Sequence, residues 1–484
     1  MGLIGILVAL GLLIWLAYRG WSVLLLAPAA ALVAAAAARE PLLAHWTQTF
    51  MGSAARFVAQ FFPLFLLGAL FGKLMDDSGS VQAIARFISE KLGSQRAILA
   101  VVLAGALVTY GGVSLFVAFF VLAPMAHALF RTANIPYRLM PAAIALGTST
   151  FTMSALPGTP SIQNAIPMPF FGTTPFAAPG IGIIASAVML GFGLWWLARA
   201  ERAARKAGEG YDSETDVAAA VAPDSQFIRE RATASHEFDP AEIPHGHHSD
   251  AQPAFGLAVL PLIVVVGVNL LMSIFILPRL DYSFLADESW GGTSLSAVAG
   301  VWSVAVALAA AIATVITINF NRLPALRESM DAGANASVLP IFAVASLVGF
   351  GAVVAAMPAF EMVRDWVLSI GGGPLVSLAV ATNILAALTG SASGGMTIAL
   401  DALGDTYMRL AAAGGIDPGL MHRIAVIGSG TLDTLPHNGA VVTLLAVCGS
   451  THRKSYFDIV MAGIVGPVLA LVIVIILGST FGSF

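Results

Sequence analysis

Apolar runs of about 20 residues, parted by short polar or turn-forming stretches, recur from one end of the chain to the other. Such a run, wound as a helix, is long enough to cross a hydrocarbon core ~30 Å thick. The runs are continuous and rich in Leu, Ala and Val instead of alternating, which excludes a transmembrane β-barrel. They predict helices over 2–18, 21–38, 57–75, 180–198, 255–277, 293–318, 338–358 and 457–480. Two further pieces, 81–92 and 360–370, carry apolar residues at helical spacing and read as amphipathic.

Four places break the pattern. Two apolar arms, 97–108 and 115–130, flank the tip TYGGVS at 109–114, and arms 374–388 and 396–412 flank TGSASGG at 389–395. Arms of this length suit re-entrant hairpins at least as well as pairs of full crossings. The other two places are broken helices. One runs from 137 through GTSTFTMSALPGTPSIQN at 147–164 and on to 171; the other is interrupted by GSGTLDTLPHNG at 428–439. Non-helical backbone persists at membrane depth only where protein or a water-filled cavity surrounds it. A carboxylate there costs about 2.5–3.5 kcal/mol on insertion scales and by default marks a solute or ion pathway. The break at 428–439 contains Asp433, His437 and Asn438, so it is expected to be half of a substrate site.

Composition agrees. Of 484 residues, 58% are hydrophobic and 10% charged, with mean hydropathy +0.87, against roughly 25% charged residues in soluble domains. The chain is therefore expected to be an all-α polytopic membrane protein, with no nucleic-acid partner and no cofactor. The net charge of −4 decides little, because orientation depends on where Lys and Arg fall. Cys448, the single cysteine, excludes an internal disulfide. Residues 1–38 lack a basic start and are interrupted at Arg19, which predicts two membrane helices in place of a cleaved signal.

The order of parts repeats. Residues 66–89 run parallel to 348–369, and the tips, the proline turns at Pro136 and Pro418, and the starts of the breaks correspond at an offset of about 280 residues. This divides the chain into an N-terminal membrane repeat 1–198, a polar linker 199–253 and a C-terminal membrane repeat 254–484. With the linker cytoplasmic, Arg19, Lys73, Lys91, Arg96, Arg131, Arg138, Arg322, Arg327, Arg453 and Lys454 all fall inside, and both termini are periplasmic. That solution requires the two hairpins to enter from opposite sides, so the halves are expected to be inverted. Inverted repeats whose broken helices meet at the midplane are the architecture of secondary transporters.

Within the four irregular elements, glycine lets backbone approach a ligand, hydroxyls donate or accept, and half-helix N-termini present N–H groups that suit a carboxylate. The candidate binding residues are Thr109, Gly111, Gly112, Ser114, Thr159, Ser161, Asn164, Ser391, Ser393, Gly394, Thr431, His437 and Asn438. None of the four stretches contains Lys or Arg, so a monocarboxylate fits better than a phosphate or a multiply charged anion. Asp433 and His437 are the candidates to carry a coupling proton, since histidine titrates near neutrality and a desolvated carboxylate can be brought into the same range. The structural alternative is that Asp433 caps a half-helix and His437 is a hydrogen-bonded scaffold residue. Asp401 and Asp405, on a hairpin arm, either line the cavity or face an aqueous vestibule. His245, His247 and His248 read as part of a solvated loop in preference to a metal site, because no cysteine or second spaced pair completes a zinc pattern; no metal ligand is assigned.

Several stretches resemble the gluconate permease (GntP) family of proton symporters, part of the wider ion-transporter superfamily. They are residues 68–93, ANIP at 133–136, ALPGTP at 155–160 and GSGTLDTLPHNGAVVTLLAV at 428–447. The resemblance implies uptake of small hydroxy-carboxylates with protons across a bacterial inner membrane and a homodimer with scaffold and moving transport domains. Gluconate-type members carry a histidine and more prolines at the first break and an acidic residue near the first tip, where this chain has ALPGTPSIQN and TYGGVS. LPHNGAV and THRKSY at 451–456 are closer to D-β-hydroxybutyrate permease-like members. The implied substrate is 3-hydroxybutyrate or a close short-chain acid, with gluconate or another sugar acid second. Sodium coupling stays open beside protons. An intramembrane aspartyl protease would need two facing carboxylates, and of the candidates Asp433 alone lies in a break; no HExxH motif supports a zinc protease.

Overall fold

Apolar continuity resolves into helix throughout the computed structural model, which describes residues 2–19, 21–211, 239–436 and 438–484. No strand occurs among the described residues. Among the described residues seven helices are long and apolar enough to cross a membrane: Leu42–Asp77, Leu115–Thr132, Pro179–Lys206, Phe255–Arg279, Glu288–Ile318, Leu326–Ala355 and His452–Phe481. An eighth candidate is bent by 101° between Ser80–Leu92 and Ser94–Tyr110. The protein is an all-helical polytopic membrane protein, as its hydropathy predicts. Large exposed side chains such as Trp15, Leu43, Trp195, Ile263 and Ile476 lie where lipid, not water, is the expected neighbour.

Observed bounds differ mainly where polar residues sit inside helices. The predicted spans 57–75 and 338–358 begin earlier, at Leu42 and Leu326, because backbone hydrogen bonding continues through segments whose polar residues the hydropathy pattern discounts. These two helices pack along each other. Gly333 lies against Leu70 and Lys73, and Gly349 against Phe50. Two short apolar helices, Gly2–Tyr18 and the alanine-rich Val23–Ala38, pack together and cover the face formed by Ala343, Leu347, Phe350 and Val353. Small side chains allow such close approach where lipid offers no hydrophobic drive.

Both hairpins form. Ala97–Tyr110 and Leu115–Thr132 make the first, Gly373–Thr389 and Ala392–Gly414 the second. The first broken helix comprises Met140–Thr148 and Phe151–Ser154, an irregular passage, then Ile162–Ala165 and Pro167–Phe171. The second comprises Pro418–Thr431 and Gly439–Val447. The first hairpin and first broken helix touch backbone to backbone. A Cβ on Gly147 would stand 2.4 Å from the carbonyl oxygen of Val102. We predict that Gly147→Ala lowers stability by about 1–3 kcal/mol, read as a lower thermal midpoint of the detergent-purified protein. Gly52→Ala, with nothing within 4 Å of its Cβ position, should leave that midpoint unchanged.

Candidate functional site

Each irregular element exposes backbone groups that helices would have satisfied, and the side chains nearby supply the missing partners. At the second hairpin tip, Gly390 turns the chain and Ser391 caps Ala392–Gly414 by accepting from Gly394 N at 3.0 Å. The helix starts at Ala392, so Ser393 and Gly394 belong to its first turn instead of the tip; Ser393 Oγ is 3.2 Å from Ser391 Oγ. Asp433 closes the arrangement. Its Oδ1 accepts from Ala392 N at 2.9 Å and from Asn438 Nδ2 at 2.8 Å. Asn438 Nδ2 also donates to Gly390 O at 3.0 Å, and its Oδ1 caps Gly439–Val447 through Ala440 N at 2.8 Å. Asp433 therefore sits at the N-terminus of the hairpin's second arm, where the helix dipole favours negative charge, and Asn438 caps the half-helix.

The interruption itself is 432–438, shorter than the pattern 428–439 suggests. Ser429 and Thr431 stay helical by donating to Val426 O and Gly428 O three residues back, and Thr431 also pairs with Asn383. Gly428 is needed there for packing, since a Cβ would meet Thr382 Oγ1 at 2.5 Å. His437 lies outside the described residues.

The first break is closed by another asparagine. Asn164 Nδ2 donates to Thr159 O at 3.0 Å and Pro175 O at 3.1 Å, and its Oδ1 faces His422 Nε2 and Arg423 Nη1, both at 3.1 Å. His422 Nδ1 is 2.6 Å from Thr173 Oγ1, a pairing that fits a neutral ring protonated on Nε2. Arg423, fully buried, also donates to Ala177 O at 2.8 Å and Pro175 O at 3.4 Å. One guanidinium thus holds the loop 156–178 onto the second broken helix. Arg423 lies outside the four irregular stretches from which the candidate residues are drawn. The available signal was its place in the apolar run LMHRIAVIG, where a charge by default has a task.

The remaining candidates are distributed along the same structure. Ser161 donates to Met153 O at 2.9 Å; Thr159 Oγ1 accepts from Ser161 N at 3.4 Å. Thr109 bonds to Gly105 O and to Thr152 Oγ1, and Ser114 caps Leu115–Thr132 through Phe116 N. Gly111 and Gly112 pack against Leu262 and Pro160. Asp401 and Asp405 are exposed.

Between the halves lies a cavity of about 20 Å³ lined from both broken helices, from the residue after the first tip and from the second tip. Its polar groups are Ser149, Ser154, Gln163, Asp433 and Thr434, alongside the helix start at Ala392. It has room for about one water molecule, so the protein is closed around it. Among the described residues Asp433, half-buried, is the single carboxylate in its lining, and no Lys or Arg lines it. Gln163 Oε1 and Thr434 Oγ1 are buried without a hydrogen-bond partner among the described residues. Sequence reading missed both; Gln163 lies beside the predicted Asn164, whose side chain serves the loop instead of the cavity.

A family model described as CitMHS, citrate transporter, matches residues 6–287. The uncharacterized transporter YxjC of Bacillus subtilis (strain 168) is 43% identical over 466 residues, 95% of each chain. A solved structure of Neisseria gonorrhoeae MtrF, presented as illuminating a class of antimetabolite efflux pumps, aligns with a TM-score of 0.55 at 14% identity, over 90% of this chain and 85% of that one. This last likeness concerns the fold alone. The comparisons return a membrane transporter family, as the sequence resemblance implied, under a different description from the gluconate permeases.

Replacing Arg423 with Met would leave Ala177 O, Asn164 Oδ1 and Pro175 O short of donors. The expected cost is about 3 kcal/mol or more, seen as a lowered thermal midpoint, with Arg423→Lys intermediate because a point-like ammonium cannot reproduce the fork.

Proposed function

The chain belongs to the citrate transporter family CitMHS, and on that premise we propose that it imports a small hydroxy-monocarboxylate together with a proton by alternating access. The observation that carries this reading is the cavity lining, which among the described residues holds one carboxylate, Asp433, and no Lys or Arg. An anionic substrate placed there would face Asp433 at close range, and two like charges in a site of low polarity cannot both stay ionised. Binding of the acid therefore requires Asp433 to take a proton. Asp433 has an oxygen available for it: Oδ1 is occupied by Ala392 N and Asn438 Nδ2, and Oδ2 accepts no hydrogen bond among the described residues. Coupling then follows from electrostatics, and the proton is carried with the substrate.

Gln163 Oε1 and Thr434 Oγ1, lacking partners of their own among the described residues, would take the hydroxyl and one carboxylate oxygen, and the positive end of the Ala392–Gly414 helix dipole would favour the carboxylate. Few polar groups are offered, which favours 3-hydroxybutyrate or a similar short acid over gluconate or another polyhydroxylated acid. Citrate is the second reading, favoured by the family description and by the buried charge of Arg423 behind Asn164. With the gluconate-permease resemblance go a bacterial inner-membrane location, a cytoplasmic linker 199–253 between repeats 1–198 and 254–484, periplasmic termini and a homodimer.

Uptake of labelled 3-hydroxybutyrate, gluconate and citrate into proteoliposomes, with an imposed inward proton gradient and with sodium replaced by choline, tests the reading. The expected result is concentrative, proton-stimulated uptake of 3-hydroxybutyrate, with an apparent KM that rises up to tenfold per pH unit once Asp433 must gain its proton from a more alkaline medium. Asp433→Asn, permanently neutral, should retain substrate exchange, lose proton-driven accumulation and lose the pH dependence of KM. Uptake of citrate or gluconate alone would replace the substrate, and accumulation persisting in Asp433→Asn would remove the proton from this residue.

A further inference from the structure

A second cluster of titratable groups lies at the end of the spanning helix Leu42–Asp77, and none of its members lines the cavity. The helix ends in Asp76 and Asp77, and the segment entering Phe255–Arg279 brings His248 over them. One donor atom from each of the three lies within 4.8 Å of the others. His248 Nδ1 is 3.2 Å from Asp77 Oδ1 and 3.7 Å from Asp76 Oδ2. Lys73 Nζ, 2.9 Å from Asp77 Oδ1, balances one of the two carboxylates. The other, Asp76, is buried beside it, where an unpaired charge is costly.

Hydrogen bonds already orient all three side chains, Asp76 and His248 by the atom turned away from the cluster. Gln82 Nε2 donates to Asp76 Oδ1 at 2.8 Å, Lys73 holds Asp77 Oδ1, and Ile243 O stands 3.1 Å from His248 Nε2. A backbone carbonyl on one ring nitrogen fixes the tautomer that leaves the other nitrogen free to ligate. Asp77 Oδ2 is fully buried and without a hydrogen-bond partner among the described residues. Beside it is Gly246, at φ +88°, where a Cβ would come within 2.6 Å of that oxygen.

We infer that Asp76, Asp77 and His248 form a site for a divalent first-row transition-metal ion such as Zn²⁺ or Mn²⁺, fastening the end of the polar linker to the first long helix. One imidazole and two carboxylates suit such an ion better than Mg²⁺ or Ca²⁺, which favour oxygen donors throughout. Through Gln82 the ion also fixes Ser80–Leu92, the amphipathic helix that leads into the first hairpin. The fold separates the three histidines that the sequence groups together. His245 pairs with Glu242 at 2.9 Å and His247 is exposed, so His248 alone joins the aspartates.

The test uses the full chain, purified in detergent, stripped with a chelator and titrated calorimetrically with Zn²⁺ and with Mn²⁺. One equivalent is expected to bind and to raise the thermal midpoint. His248→Gln, at a half-exposed position where the amide can still bond to Asp77, should weaken binding by about 10–100-fold and abolish the thermal gain. The double variant His245→Ala/His247→Ala should bind as the unaltered protein does. Absence of saturable binding of either metal, unchanged affinity in His248→Gln, or loss of binding in the double variant would overturn the proposal.

Discussion

Breaking a helix inside a bilayer strands N–H and C=O groups that lipid cannot solvate, each at a cost of several kcal/mol. The protein meets this constraint twice with the same side chain. Asn164 in the first half and Asn438 in the second each donate from Nδ2 to two acceptors across their break. Each carboxamide oxygen is then paired in turn, by His422 and Arg423 in one case and by Ala440 N in the other. The breaks are thus rigid features, and the irregular backbone can be held open toward a cavity without unfolding.

What differs between the halves is charge. The first break is held by a buried guanidinium reaching over from the second half, the second by a carboxylate taken from its own loop. Arg423 faces neutral acceptors and points its donors at the loop, whereas Asp433 caps a helix and also borders the cavity. The position that stabilises Asp433 as an anion when the site is empty is the one from which it would repel an anionic substrate. A proton relieves that conflict. On the proposed function, structure and coupling rest on the same carboxylate, and the two readings that the sequence leaves open for Asp433, cap and proton carrier, are compatible.

Helices, hairpins and breaks were legible because lipid imposes apolar continuity, and any glycine, proline or hydroxyl cluster that interrupts it stands out. Boundaries were less so. Ser429 and Thr431 look like loop residues, yet hydroxyls that bond back to carbonyls three residues earlier are compatible with helix. Site membership was legible by neighbourhood and not by residue: Asn164 was predicted and Gln163 lines the cavity, because which side chain of an adjacent pair turns inward depends on the local backbone. Arg423 escaped because it lies outside the breaks in sequence and reaches one of them only through the packing of the two halves. His248 required the same long-range information, meeting Asp76 and Asp77 from the end of the linker.

The central claim is that the closed cavity between the two broken helices is the transport site and opens to one side at a time. Thiol accessibility tests it most directly. Cys448 is buried and is the single cysteine, so Thr434→Cys in a Cys448→Ala background reports on the cavity alone. The account predicts labelling by a membrane-impermeant thiol reagent from either side of oriented vesicles, with substrate protecting, and with a proton gradient shifting the balance between the two sides. Labelling from one side only under every condition, or continuous permeation of the reagent through the protein, would contradict it.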